Sequence, residues 1–308
     1  MTVFYRRLPK FDYAGPKDIA EAWDLMRGMN GVDYQVFAGG TDVIPKLKRR
    51  AGRIPKCLID LKGIRELDYI SYDANGGLAL GALACVQDVA DSRLIREHHP
   101  ALAEAAGRIG AAQIRHRATV VGNICNAAPS ADTAPALLAL DASVRCASAA
   151  GDRIVPLKDF FAGPLQTVLS HGEIVREIMV PGSSAGPNSC YIKLSPRQHM
   201  DLAVVGVAAF VREKDGRCEE IRIGLGSVGR TPLRAFAAET SLRNATINQE
   251  SIELAARAAA EECWPRDSIR GSAAYRREMV HVLTVRAINR CLSGEPLEGI
   301  CRTKGDSR

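Results

Sequence analysis

The spacing of apolar residues predicts alternating helices and strands along most of the chain. The first clear helical pattern covers residues 16–29, with Pro16 at its start and Asn30 and Gly31 as a stop signal after its end. Its apolar side chains recur at helical spacing and share one face, which comprises Ile19, Ala22, Trp23 and Met26. We therefore predict an amphipathic helix that packs against a core.

Short β-type runs separated by turn signals follow this helix. Asn75, Gly76 and Gly77 form a strong hairpin signal between two such runs. The strands predicted in this part of the chain are 34–38, 57–60, 69–72, 78–82, 152–155 and 173–180, with another strand after residue 140. The predicted helices are 86–98, 101–109 and 133–140, and residues 156–161 form a helical turn.

The pattern becomes simpler in the last third of the chain. Strands are predicted at 191–194, 203–213 and 219–227, a hairpin turn at 214–216, and helices at 249–263 and 272–292. A sheet followed by helices indicates an α+β module. The small, polar, turn-rich stretch 183–188 is the best linker candidate. We place the domains at 1–182, with subdomains at roughly 1–60 and 61–182, and at 188–292, followed by a flexible tail at 293–308.

Composition excludes several classes of protein. The 308 residues are 46% apolar, carry a net charge of +6 and contain only 5% aromatics, which argues against a nucleic-acid binder. Nine cysteines are spread along the chain without a CxxC pair or metal-ligand spacing, so no metal site is expected. Unclustered cysteines and the lack of a signal peptide indicate reduced thiols in the cytoplasm, and no apolar run is long enough to span a membrane.

Two loops of small residues carry the candidate chemistry. The first follows the strand predicted at 34–38 and contains Gly39 and Gly40. A strand, a glycine turn and a helix start often bind phosphate, because glycine permits close approach and the helix amides supply positive potential. The second loop contains a short β-type run at 119–121, a turn at Gly122 and Asn123, and the carboxylate of Asp132. Together the two loops indicate a site for one large anionic ligand, a flavin nucleotide.

The two loops also resemble a known family. Residues 38–42, AGGTD, and 119–123, TVVGN, are similar to the cofactor loops of the FAD-binding medium subunits of molybdenum hydroxylases. This group includes carbon monoxide dehydrogenase, xanthine dehydrogenase and nicotinate or 4-hydroxybenzoyl-CoA oxidoreductases. The position of Asp132, the segment 113–115 and the segment 191–193 support the resemblance, which extends to about residue 292.

The resemblance implies a fold that the residue pattern alone does not give. It implies the FAD-binding fold of vanillyl-alcohol oxidase and p-cresol methylhydroxylase, in which two α+β subdomains clasp an extended FAD. A C-terminal α+β domain of antiparallel sheet and helices would cover one side. The cofactor of this chain would be FAD.

The resemblance also implies partners and a direction of electron flow. A large subunit would hold molybdopterin, a small subunit would hold two [2Fe–2S] clusters, and two heterotrimers could form a dimer. Electrons would pass from molybdenum through the clusters to the flavin, and then to NAD, a quinone, oxygen or a protein. The flavin would carry the redox chemistry, since no catalytic acid–base pair or nucleophile triad is visible in the sequence.

Each candidate residue has an expected role. The first loop should donate backbone N–H groups to the diphosphate, with Thr41 and Asp42 capping the next helix. Asp132 should bind a hydroxyl of the sugar or ribityl chain and cap the helix after it, while Lys193 should place a positive charge near the flavin. The predicted cofactor-binding residues are Ala38, Gly39, Gly40, Thr41, Asp42, Val43, Ile109, Gly110, Thr119, Gly122, Asn123, Asp132 and Lys193.

The sequence leaves two other functions open. The first is a stand-alone flavin reductase resembling UDP-N-acetylenolpyruvoylglucosamine reductase, for which Ser227 and Glu239 are available as catalytic groups. The second is a flavin-less structural subunit. Val121 favours it, because this β-branched residue replaces the usual glycine of the second loop and disfavours a positive φ.

Overall fold

The computed structural model describes residues 7–29, 33–73, 75, 77–197 and 200–294. The predicted stop signal at residues 30 and 31 and the tail beyond residue 294 lie outside these ranges. The helices in them are α1 Ile19–Arg27, α2 Val43–Arg49, α3 Val86–Asp91, α4 Arg93–His98, α5 Pro100–Gly107, α6 Ala112–Arg115, α7 Val120–Cys125, α8 Thr133–Ala139, α9 Phe236–Leu242, α10 Gln249–Glu261 and α11 Ala273–Ser293.

The strands form three larger sheets and one small hairpin. Their bounds are β1 Asp12–Ala14, β2 Tyr34–Phe37, β3 Cys57–Asp60, β4 Ile70–Tyr72, β5 Leu78–Gly81, β6 Ser143–Ser148, β7 Gly151–Pro156, β8 Phe161–Gly163, β9 Gln166–Thr167, β10 Ile174–Val180, β11 Ser189–Leu194, β12 Val205–Lys214, β13 Arg217–Gly226 and β14 Leu233–Arg234. The first sheet is parallel, in the order β1-β3-β2. The others are antiparallel, in the orders β4-β5-β10-β6-β7, β11-β12-β13-β14 and β8-β9.

Most of the predicted elements are confirmed, with small shifts at their ends. The hairpin between β4 and β5 forms as predicted. So does the turn between β12 and β13, in which Asp215 and Gly216 both have positive φ. The helix predicted at 86–98 is instead two helices, α3 and α4, because Ser92 leaves the helical conformation. Its hydroxyl accepts a hydrogen bond from the N–H of Ile95 and so begins a new helix.

The helices α5 and α8 meet the C-terminal sheet along a surface that consists mostly of alanines. Ala101, Ala105, Ala136 and Ala139 pack against Tyr191 and Ala208, which brings α5 and α8 onto the sheet of β11 and β12. At Gly224 on β13 a Cβ atom would lie only 2.1 Å from the carbonyl oxygen of Pro135 on α8. Only glycine permits this approach, so the C-terminal sheet lies directly against α8.

The predicted linker at 183–188 connects β10 to β11 but is firmly packed. Ser184 is fully buried, and its hydroxyl donates to the carbonyl of Leu140 at 2.8 Å. The same hydroxyl accepts from Nη1 of Arg222 at 2.8 Å. In the described part of the chain, no helix is both long enough and apolar enough to cross a lipid bilayer.

His99 is a buried titratable group at the start of α5. Neither of its ring nitrogens has a hydrogen-bond partner among the described residues, and its ring stacks on Tyr72 with centroids 5.9 Å apart. Burial lowers the pKa of His99 to about 4, and the neighbouring His98 adds to this effect. The folded protein therefore holds a neutral imidazole, whereas an unfolded histidine has a pKa of about 6.5.

We expect His99 to weaken the fold as the pH falls from about 6.5 towards 4, because protonation then favours the unfolded chain. Between pH values of about 7.5 and 5 the loss in the free energy of unfolding should be about 2 kcal/mol. His99→Phe keeps a ring and removes the titration. The difference in the free energy of unfolding between this variant and the wild type should therefore rise by about 2 kcal/mol between those two pH values. Urea unfolding at each pH measures it.

Tyr72→Phe is the matched control for this experiment. It removes the neighbouring buried hydroxyl, which also lacks a partner among the described residues, and it retains His99. We expect this control to show the pH dependence of the wild type. The interpretation would be wrong if His99→Phe and the wild type lost stability equally on acidification.

Candidate cofactor-binding site

A cleft of about 600 Å³ lies where the first loop, the second loop and a loop of the C-terminal part meet. It is lined by the connection between β2 and α2, by residues before α6, by α7 and the segment after it, and by residues 200–202. All of the predicted site residues except Lys193 contribute to its walls. The structure thus brings together positions that are almost one hundred residues apart in the sequence.

The first loop presents unused backbone donors to the cleft. Strand β2 ends at Phe37, Gly40 has a φ of +73°, and α2 begins at Val43. The N–H of Ile44 donates to the carbonyl of Gly40, but among the described residues no backbone acceptor is bonded to an N–H of residues 39–42. Adjacent N–H groups without protein partners are well suited to an anionic ligand.

The predicted capping of α2 by Asp42 is wrong. Asp42 occupies the N-cap position, but its side chain makes no capping hydrogen bond. Its φ of −100° and ψ of −43° are helical, whereas a capping side chain is usually carried by extended backbone. The start of α2 therefore depends on other contacts, such as the bond from the N–H of Ile44 to Gly40, and the N–H of Val43 has no acceptor among the described backbone groups.

The second loop is a helix start, so the predicted β-type run at 119–121 is wrong. Thr119 has extended backbone and its hydroxyl accepts from the N–H of Gly122 at 3.0 Å, which caps α7. This bond uses the backbone N–H of Gly122, so that group is not free to donate to a ligand. Val121 lies inside α7 and is buried, so its helical backbone needs no glycine.

Asn123 lines the cleft beside Gly122. Its side-chain oxygen accepts from the hydroxyl of Thr133 at 2.7 Å, which links α7 to α8. The two N–H groups of its side-chain amide take no part in that bond and keep their donor capacity.

The first loop touches the backbone of the residues just before the second loop. A Cβ atom at Gly39 would lie 1.9 Å from the carbonyl oxygen of Arg117 and 2.9 Å from the Cα of Ala118. Any side chain at residue 39 would force the loops apart, since real Cβ atoms do not approach backbone this closely. The glycine at this position is thus required by the neighbouring loop.

Ile109 and Gly110 form another wall of the cleft. Ile109 is buried, and Gly110 adopts a φ of +47°. The carbonyl of Gly110 accepts from the N–H of Met200 at 3.1 Å, which joins this wall to the loop from the C-terminal part. Met200 and Leu202 are exposed at the mouth of the cleft, as is Leu165 on the β8–β9 hairpin.

Asp132 is held by the C-terminal sheet and does not cap α8. Its backbone is already helical, and its side chain makes no capping bond. Instead, Oδ1 accepts from the hydroxyl of Tyr191 and Oδ2 accepts from Nζ of Lys193, each at 2.8 Å. Lys193 also donates to the carbonyl of Arg108 at 3.1 Å, so its ammonium lies behind Asp132 and does not line the cleft.

Burial dominates the electrostatics of this group. It raises the pKa of Asp132, against the lowering effects of Lys193 and Tyr191. Burial and the adjacent carboxylate also raise the pKa of Tyr191 well above its usual value, so the hydroxyl stays a donor. The side chains of Asp132 and Lys193 are 9% and 5% exposed, which makes them a buried ion pair between the two halves of the chain.

Tyr191 is a member of this site that sequence reasoning missed. The segment 191–193 supported the family resemblance, but only Lys193 was given a role. The ring of Tyr191 is buried, and a Cβ atom at Gly206 would lie 2.7 Å from its hydroxyl. A large polar residue beside Lys193 on a strand was a weak signal, because nothing in the sequence pairs it with Asp132.

Comparison with known proteins agrees with this geometry. Residues 9–183 match the model of the FAD binding domain in molybdopterin dehydrogenase, and residues 190–291 match the CO dehydrogenase flavoprotein C-terminal domain. The chain belongs to the FAD-binding subunit family of molybdenum hydroxylases. It is thus an oxidoreductase subunit of a family whose cofactor is FAD.

Curated relatives match nearly the full length of the chain. The carbon monoxide dehydrogenase medium chain of Hydrogenophaga pseudoflava is 34% identical over 281 residues, which cover 91% of this chain and 96% of the relative. The xanthine dehydrogenase FAD-binding subunit of Escherichia coli O157:H7 is 31% identical over 287 residues, which cover 92% and 97%.

Solved structures share the same fold. A chain of carbon monoxide dehydrogenase from Hydrogenophaga pseudoflava that lacks the Mo-pyranopterin moiety matches with a TM-score of 0.88 and 33% identity, over 94% of this chain and 100% of that chain. Quinoline 2-oxidoreductase from Pseudomonas putida 86 matches with a TM-score of 0.85 and 29% identity, over 94% and 99%. The fold of this family member is thus the p-cresol methylhydroxylase type with a C-terminal α+β domain.

Glu239, one of the two groups suggested for a stand-alone reductase, is already bonded within the protein. The carboxylate of Glu239 is buried and accepts from Arg234 and from the N–H of Ile223. Neither Glu239 nor Ser227 lines the cleft. Glu239 therefore stabilises the C-terminal sheet and lies outside the cofactor site.

The buried ion pair yields a prediction about stability. Asp132→Asn or Lys193→Met alone should lower the free energy of unfolding of the FAD-free chain by about 3–5 kcal/mol, because each leaves a buried charge without its partner. The double variant should recover part of this loss. Urea unfolding of the four proteins forms a double-mutant cycle.

The exposed pair Arg93 and Glu97 is the matched control. These side chains are 89% and 48% exposed with Nε and Oε1 2.7 Å apart, and because solvent screens the pair, their alanine variants should change stability far less than the variants of the buried pair. Equal costs for the two pairs would show that the Asp132–Lys193 pair is not effectively buried in solution.

Proposed function

We propose that this chain is the FAD-carrying electron-transfer subunit of a multi-subunit molybdenum hydroxylase. It would take electrons from [2Fe–2S] clusters of a small partner subunit and pass them to an external acceptor such as NAD, a quinone, oxygen or a protein. A large partner subunit would bind molybdopterin and the substrate. Residues 1–182 would form the FAD-binding domain and 188–292 the C-terminal flavoprotein domain.

The observation that carries this proposal is the row of unused N–H groups at residues 39–42 in the wall of the cleft. The diphosphate of FAD needs several donors that approach it without side chains in between. Each charge-assisted hydrogen bond is worth about 1.5–3 kcal/mol, so a few of them suffice for tight binding. The glycines of this loop allow that approach.

The other walls supply orientation and exclusion of water. FAD, when bound, supplies the redox chemistry, and the chain binds and orients it. Ile109 and Gly110 would form an apolar wall beside the flavin ring. Asp132 has an oxygen lone pair left on each side after its bonds to Tyr191 and Lys193, so it can accept from a ligand hydroxyl. Lys193 would act on the site through Asp132, because its ammonium lies behind that carboxylate.

A single substitution can test cofactor binding without disturbing the fold. Gly122 lies in α7 and lines the cleft, and a Cβ atom there would lie 2.8 Å from the hydroxyl of Thr119, so the substitution should also weaken the cap of α7. Gly122→Leu should place a side chain in the cleft. We expect the FAD bound per chain to fall by about tenfold or more, whereas the free energy of unfolding should change by about 1 kcal/mol.

Gly28→Leu is the matched control. Gly28 lies at the end of α1 with helical backbone, and a Cβ atom there would be 3.7 Å from its nearest neighbours, outside the cleft. This variant and the wild type should be yellow and release FAD on denaturation, as measured by absorbance. A wild-type chain that stays colourless after addition of FAD would contradict the proposed function, and a flavin-loaded Gly122→Leu would contradict the proposed site.

A further inference from the structure

A second cavity of about 520 Å³ lies apart from the cleft and shares no lining residue with it. One side is formed by residues of α3, α4, α5 and α6. The other side is formed by the beginning of β11 and the end of α11. The cavity thus lies between the two halves of the chain.

The charged residues of this cavity do not balance. Among the described residues, three arginines and two acids line it, namely Arg96, Arg115, Arg290, Asp91 and Glu104. Nη2 of Arg96 lies 2.8 Å from Oδ1 of Asp91, and Arg290 pairs with Glu104. The two carboxylates therefore neutralise two guanidinium groups, and one positive charge is left in excess.

The excess charge is that of Arg115. Its Nε donates to the side-chain oxygen of Gln87 at 2.8 Å, and its Nη1 donates to the carbonyl of Ile109 at 3.2 Å. Both acceptors are neutral, and Arg115 is in no ion pair with the carboxylates of the described residues. A half-buried guanidinium without a carboxylate favours an anion that can reach it.

The polar groups and the volume of the cavity indicate the class of ligand. A guanidinium group binds a carboxylate or a phosphate through two parallel hydrogen bonds. Ser189 also lines the cavity, and its hydroxyl accepts from the N–H of Ala101 at 3.3 Å, which leaves its own O–H to donate to a group of the same ligand. A volume of about 520 Å³ is in the range that holds a small organic molecule.

Two hydrogen-bond routes connect this cavity to the cleft. Arg115 donates to the carbonyl of Ile109, a residue that lines the cleft. Glu104 accepts from the N–H of Tyr191 at 2.8 Å, and the hydroxyl of Tyr191 donates to Asp132. A ligand that draws on Arg115 or Glu104 would therefore change contacts that hold two walls of the cleft.

We propose that this cavity binds a small organic anion, through the carboxylate or phosphate group that Arg115 holds, and that its occupancy is coupled to cofactor binding in the cleft. The coupling rests on the function proposed above, whereas the anion site does not. Because coupling between two binding sites is reciprocal, bound cofactor should change the affinity for the anion by the same factor.

Calorimetric titration of the FAD-free full chain tests the anion site. Inorganic phosphate and succinate are titrated separately at constant ionic strength, which distinguishes the two anion types. We expect at least one of them to bind the wild type at a single saturable site, and Arg115→Gln to weaken that binding by about tenfold or more. Arg115→Lys should fall between the two, since it keeps the charge and loses the planar fork.

Two further variants make the result specific. Arg93→Gln on α4 removes an exposed arginine outside the cavity and should leave the affinity unchanged. Gly107→Leu should weaken binding without changing any charge, because it adds a bulky side chain at a lining residue where a Cβ atom would meet nothing within 4 Å. The anion site is overturned if neither anion saturates the wild type, or if Gly107→Leu binds as the wild type does.

The coupling is tested by measuring the FAD dissociation constant with and without the saturating anion. We expect a change of about fivefold or more in the wild type and none in Arg115→Gln. An unchanged FAD affinity in the wild type would overturn the coupling. A chain that binds no FAD under any condition would contradict the function proposed above, while the anion titration would still decide the anion site.

Discussion

The backbone contact between Gly39 and Arg117 is the constraint on which the cofactor site depends. With only hydrogen on the Cα of residue 39, the first loop lies directly against the backbone of Arg117 and Ala118. Residues 39–42 line the cleft, and their N–H groups have no acceptor among the described residues. The geometry of the loops thus creates donors that only a ligand or solvent can satisfy.

The buried pair of Asp132 and Lys193 is the second constraint, because it joins the cleft to the C-terminal sheet. Tyr191 completes this group and also donates through its N–H to Glu104, which pairs with Arg290 on α11. The alanine surface between α5, α8 and the sheet allows these polar groups to meet at hydrogen-bond distance. The C-terminal part therefore contributes directly to the structure of the candidate cofactor site.

Sequence patterns predicted much of the fold and the membership of the cleft, and they failed where side-chain partners decide the structure. Hydrophobic spacing located the strands and the long helices. The β-type run at Thr119 was predicted because valines favour strands, but the threonine hydroxyl caps a helix instead. Asp132 was expected to cap α8, but its partners lie some sixty residues away in the sequence, where local patterns carry no signal.

The most direct test of the central claim is a crystal structure of the chain grown with FAD. We predict that the diphosphate accepts hydrogen bonds from the N–H groups of residues 39–42, with Gly39 still in contact with the backbone of Arg117. A diphosphate bound elsewhere, or loops that separate at Gly39 when FAD binds, would contradict the claim that this contact builds the site.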